Sequence, residues 1–127
     1  MRPRRLLTVL ALAALSTLAA SSCLSPTLPL PPPEVPSSIT AGADPGTWDV
    51  SGDCDYGALV TVFNETTGRG VVVEDRARVG VYRVTLEGAK CDAAWVRQEV
   101  GGEESTSQTF VLAPYDASAP PGAPACP

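Results

Sequence analysis

Val81-Tyr82-Arg83-Val84-Thr85-Leu86-Glu87 sets Tyr82, Val84 and Leu86 on one side and Arg83, Thr85 and Glu87 on the other. Successive side chains of a strand point to opposite faces, so this period of two describes a strand with one buried and one wetted face. Working outward, similar runs recur: Thr47-Trp48-Asp49-Val50-Ser51, Ala58 to Asn64, Arg69 to Glu74, Ala94 to Val100, and Ser107 to Leu112. All are rich in Val, Thr and aromatic residues, and Gly, Asp, Asn and Pro separate them. Asn64-Glu65-Thr66-Thr67-Gly68 and Gly101-Gly102-Glu103-Glu104 read as hairpin connections. A weaker run, Ser38-Ile39-Thr40-Ala41, brings the strand count to seven, and no window in this region shows a helical stripe.

Seven short strands between residues 37 and 115 predict an all-β fold, a β-sandwich of two antiparallel sheets. The expected core is Trp48, Val50, Val60, Val62, Val72, Tyr82, Val84, Leu86, Val96, Phe110 and Leu112. Trp95 then points outward from its strand, unless the phase there is shifted. The order of features resembles the immunoglobulin-like modules of bacterial extracytoplasmic proteins. The motifs concerned are Gly46-Thr47-Trp48, the run Ala58 to Phe63, Gly80-Val81-Tyr82-Arg83-Val84 and the closing run Ser107 to Leu112. That resemblance implies a seven-strand immunoglobulin-like sandwich used for spacing, adhesion or presentation, and no reaction. Transthyretin-like seven-strand modules fit almost as well.

Ahead of this region the chain opens with Met1-Arg2-Pro3-Arg4-Arg5, then an uncharged, mostly apolar run from Leu6 to Ala20 and Ser21-Ser22-Cys23. A basic start, a short apolar run and small residues before a cut make a secretory signal peptide. The run is shorter than the roughly 20 apolar residues that span a bilayer, which weighs against a permanent anchor. Ala20-Ser21-Ser22-Cys23 resembles the bacterial lipobox, although Ala20 stands where that pattern most often has leucine. The resemblance implies that residues 1–22 are removed and that Cys23 carries diacylglyceryl and acyl chains. Several chains hold a protein stably on a membrane where one binds reversibly. An ordinary secretory cut near Ala20 is the alternative.

Residues 23–36 hold that cysteine and LSPTLPLPPPEVP, whose prolines exclude helix interior and central strand. This is expected to be a polyproline II or disordered tether, with groove docking as the lesser option. Residues 116–127, DASAPPGAPACP, read as a disordered tail.

Composition narrows the function. The 127 residues include 9 Lys+Arg, 14 Asp+Glu and no His. Without histidine there is no Ser–His–Asp or Cys–His set and no imidazole metal ligand. Losing Arg2, Arg4 and Arg5 leaves 6 basic against 14 acidic residues, a net −8, which argues against nucleic acid. Export places Cys54, Cys91 and Cys126 in an oxidising compartment. Cys54 and Cys91 both sit at turns inside the domain and are the expected disulfide, leaving Cys126 free or available to link a dimer.

Asp49, Asp53 and Asp55, with Asp44 before them, are a weak calcium candidate on turns, without the EF-hand spacing. The competing explanation is a solvated acidic turn. Asp53 and Asp55 as a glycosidase pair lack the cleft that such pairs flank. Asn64-Glu65-Thr66 matches the glycosylation pattern, by chance in a chain with a bacterial lipobox. Ser105, Thr106 and Ser107 have no base beside them in sequence.

The expectation is thus a non-enzymatic lipoprotein of the bacterial cell envelope, on the outer membrane in a Gram-negative cell, with no cofactor. It would bind or support an envelope protein or glycan through a strand edge or loops. The alternative is a secreted soluble protein binding calcium or a glycan.

Overall fold

The computed structural model describes residues 28–122 and 125–127. Among them are nine strands and no helix: β1 (Ser38–Ala41), β2 (Thr47–Asp53), β3 (Leu59–Asn64), β4 (Arg69–Glu74), β5 (Val81–Glu87), β6 (Ala93–Val100), β7 (Glu103–Glu104), β8 (Gln108–Val111) and β9 (Tyr115–Asp116). They form two packed antiparallel sheets, one ordered β5-β2-β1-β9 and the other β4-β3-β6, with β7 and β8 both on β6. Every run expected as a strand is one, and β7 and β9 are additions too short to show a period.

Turn chemistry sets the hairpins. Val100 pairs Glu103 across Gly101-Gly102, and both glycines have positive φ, 61° and 83°. That is the two-residue turn whose twist matches the strands it joins. On the far side of β6, β7 and β8 are one edge interrupted at Ser105. There the Ser105 N–H donates to the Gln98 carbonyl at 2.8 Å and its Oγ accepts from the Gln98 N–H at 3.0 Å, so the ladder continues through a hydroxyl.

Between the sheets lie Ile39, Trp48, Val50, Ala58, Val60, Val62, Tyr82, Val84, Leu86, Ala94, Val96 and Leu112, all buried. Trp48 buries its ring and donates its indole N–H to the Gly88 carbonyl at 3.1 Å, so no polar atom is stranded. Two expected core positions differ. Val72 is 57% exposed because β4 turns Val71 and Val73 inward and Gly70, Val72 and Glu74 outward. Three consecutive valines carry no alternation from which to read that phase. Phe110 is only partly buried against the core. The outward phase of Trp95 is the one observed, with Ala94 and Val96 facing in.

The two seams between the sheets are closed differently. On one, β4 and β5 lie against each other, and Arg69 pairs with Glu87 across the gap. On the other, the chain ends do the work. The Leu30 N–H donates to Glu103 Oε1 at 3.1 Å, and the Gln98 side chain donates to the Pro31 carbonyl at 3.0 Å. Pro33 and Pro36 are buried. From Leu30 onward the proline-rich stretch therefore packs on the domain and is no free spacer. The tail, expected to be disordered, also joins the fold: β9 pairs β1, and the Ala117 N–H donates to the Ser37 carbonyl at 2.8 Å.

Candidate functional site

Of the residues singled out in the sequence, Cys23 and the whole signal segment lie outside the described residues. The cysteine pairing differs from the expected one. Cys91 is bonded to Cys126, and among the described residues Cys54 is the free thiol. The expected Cys54–Cys91 bridge is therefore absent, and a dimer through Cys126 loses its thiol. The reason is spatial. Cys91 sits beyond the end of β5, where its N–H donates to the Leu112 carbonyl at 2.7 Å. The tail returns to that point, with the Ala125 carbonyl 3.6 Å from Cys91 Sγ. Cys54 follows β2 and hydrogen-bonds to Gly80, at the entrance to β5.

Asp49, Asp53 and Asp55 are not brought together. Among the described residues no three Cys, Asp or Glu side chains converge as metal ligands. Asp49 lies mid-strand and accepts a hydrogen bond from Thr85 Oγ1 at 2.7 Å. Asp53 is four residues further along the same strand, about 13 Å away at strand rise. The carboxylate with the dense set of donors is Asp75, which no motif marked. It accepts from the N–H groups of Gly57, Val79 and Gly80 at 3.1, 3.0 and 2.8 Å. The Gly80 bond, then those from Gly57 and Val79, holds its carboxyl below the usual carboxylate pKa range against the opposing effect of burial. It organises the turn between β4 and β5.

Burial first, then the charges of Asp75, Asp55 and Asp53, push the Cys54 thiol up to about 11. A thiol so placed stays protonated at neutral pH and is a poor nucleophile. Tyr82 beside it is raised too, chiefly by burial, and its buried hydroxyl has no hydrogen-bond partner among the described residues. Asn64 is likewise committed to structure. Its Nδ2 donates to the Glu87 carbonyl and to Asp92 Oδ2, and its Oδ1 accepts from Thr66 and Thr67.

What stands apart is the outer face of the second sheet. Antiparallel register places Phe63 opposite Trp95 on β6 and opposite Gly70 on β4, and Thr109 opposite Trp95 on β8. One transverse row thus reads Gly70, Phe63, Trp95, Thr109. A Cβ at Gly70 would come within 2.8 Å of the Phe63 ring, so glycine is what lets that ring lean over β4. Phe63 and Trp95 stack with centroids 5.2 Å apart and planes 28° from parallel. The Arg97 guanidinium carbon is 5.3 Å from the Trp95 centroid. A flat stack would bring it to about 3.5–4.0 Å, so the guanidinium sits toward the rim of the indole, steadied by Glu104 at 3.3 Å. Val72 and Leu59, exposed large apolar residues, follow in the next two outward rows on one side of it.

The ring pair is what sequence reasoning missed. Trp95 showed itself through the phase of β6, but its juxtaposition with Phe63 is a matter of register between strands more than 30 residues apart.

The chain matches no family model, no curated protein and no solved structure.

Proposed function

We propose that this chain is a non-enzymatic lipoprotein of a bacterial cell envelope, held by lipid on Cys23, whose sandwich binds another envelope component. The observation that carries the binding reading is the Phe63–Trp95 pair with Arg97 beside it on an outer sheet face. Aromatic and arginine side chains are those most often found at the energetic centre of a binding surface. The Ala20-Ser21-Ser22-Cys23 segment supports the anchor.

The finer fold assignment, an immunoglobulin-like sandwich, is supported by strand order. With β1 to β6 taken as A, B, C, C′, E and F, and β7 with β8 as G, the sheets read E-B-A with β9 added at the edge beyond A, and C′-C-F-G. Placing C, F and G together with a C′ strand is how variable-type immunoglobulin sheets are built.

Two measurements test the proposal. In detergent phase partitioning the native chain enters the detergent phase and Cys23→Ala stays aqueous. Both forms remaining aqueous would favour the secreted soluble alternative. For the binding face, a photo-crosslinking amino acid at Thr109 in living cells is expected to capture an envelope component, with capture lost in Trp95→Ala. Capture that persists undiminished in that variant removes the face from the function.

A further inference from the structure

We infer that the outer face of the second sheet is a site for a neutral polysaccharide of equatorially substituted pyranose rings, stacking on Trp95 and Phe63. The inference rests on the binding role proposed above and names its ligand class.

Size comes first. Four strand columns about 4.8 Å apart and six residues of about 3.4 Å make a face of roughly 400 Å². A standard protein interface buries about 800 Å² of accessible surface per partner, and a flat footprint of this size alone is small beside what a second copy or another folded protein covers. Shape is next. Small apolar ligands are held in concave pockets that bury most of their surface, and the outer side of an antiparallel sheet offers none of that enclosure. A flat ligand that gains by repetition, unit after unit along a chain, suits a flat face.

Charge narrows it further. One row of this face runs Glu74, Leu59, Glu99 and Glu104 by register. Glu104 is paired with Arg97 and Glu74 with Arg76, and the whole chain is net negative. With those pairs made, Glu99 is the one carboxylate of the row without an ion-pair partner among the described residues. The face therefore offers no net positive charge to hold nucleic acid, anionic lipid or acidic polysaccharide. A neutral sugar needs none. Its ring C–H groups, made slightly positive by the attached oxygens, complement the negative faces of aromatic rings. Equatorial substituents leave those C–H faces open. Around the rings, Thr61, Thr109 and Arg97 supply donors and Glu99 an acceptor for the hydroxyls at the sugar's edge.

The test uses the native exported protein in a sugar-free detergent, titrated with cellohexaose, with the hexamer of N-acetylglucosamine, and with an alginate hexamer as acidic control. Calorimetry is expected to show binding of at least one neutral hexasaccharide and none of alginate. In an NMR spectrum the indole N–H of Trp95 shifts and that of buried Trp48 does not, the two being assigned with Trp95→Phe. Trp95→Ala weakens binding at least tenfold, and Phe63→Leu several-fold. The indole measurement on the native chain stands even if either variant fails to fold. No heat and no indole shift with either neutral sugar overturns the inference, as does alginate binding equally well. Loss of all sugar binding while Trp95-dependent crosslinking to a protein persists overturns the sugar alone, whereas loss of both overturns the binding role as well.

Discussion

Thr47, Asp49 and Ser51 of β2 and Arg83, Thr85 and Glu87 of β5 make up most of the outer face of the first sheet. On the second sheet the corresponding positions of β3 and β6 hold Leu59, Phe63, Trp95 and Arg97. Both sheets obey the same alternation and share one core, and only one of them wets its outside in the ordinary way. Folding requires the inner faces to be apolar and leaves the outer ones free. The aromatic residues outside therefore answer to something other than the core.

That contrast can be broken most directly with the two tryptophans. Trp48→Ala removes a buried ring and leaves the Gly88 carbonyl without its donor, at an expected cost of about 3–5 kcal/mol in urea unfolding. Trp95→Ala is expected to cost about 1 kcal/mol, the scale of an aromatic pair on a half-buried outer face. Equal losses would make the outer pair a structural element and end the comparison.

Next in size is the disulfide, which ties the tail, already bonded to the first sheet through Ala117, to a turn leading into the second. Its closed loop, with a sequence separation of 35, corresponds to about 4 kcal/mol as an upper figure in the chain-entropy model. Cys126→Ser should lose about 2–4 kcal/mol, while Cys54→Ser changes stability by less than about 1 kcal/mol. In the folded protein Cys54 should alkylate slowly with iodoacetamide at pH 7 and rapidly after unfolding. The reverse ranking of the two serine variants would restore the pairing expected from sequence.

The smallest effects separate two carboxylates. Asp49→Ala, on the open face of the first sheet, should stay within about 0.5 kcal/mol. Asp75→Asn should lower Tm by several degrees, because three N–H groups lose their charged acceptor. Asp75 is more acidic folded than unfolded. Its contribution is therefore complete above the unfolded carboxylate range, near pH 4, and lost as pH falls through its lower folded value. The gap between wild type and Asp75→Asn should close on acidification. Asp116, also held low by Ser118, leaves the variant some acid sensitivity.

How much of this was legible follows from which forces act locally. Val81 to Glu87 is readable because alternation over seven residues admits one burial phase. Val71-Val72-Val73 is not, since either phase buries a valine. The cysteine pairing is not legible, because turn positions say nothing of which turns meet. Cys91 even takes a positive φ of 72°, a backbone state that a sequence does not announce for cysteine. Gln98, 2% exposed, is an inward polar residue on a strand, and only its partners Asp55, Ser105 and Pro31 explain it. The aromatic site was half visible. Trp95 pointed outward on sequence grounds, but Gly70 and Phe63 acquire meaning only once three strands are in register.

The clasp on Pro31 has a mechanical consequence. Coming from the amino terminus, the chain is bonded to Glu103 of β7 and Gln98 of β6 before it enters β1 of the other sheet. Under the proposed anchoring, tension from the membrane reaches β6 and β7 first. The aromatic row belongs to that same sheet, so a load between anchor and ligand crosses one set of ladder hydrogen bonds. Only when those two hydrogen bonds give does the load pass along the chain to β1 and the packed interface between the sheets.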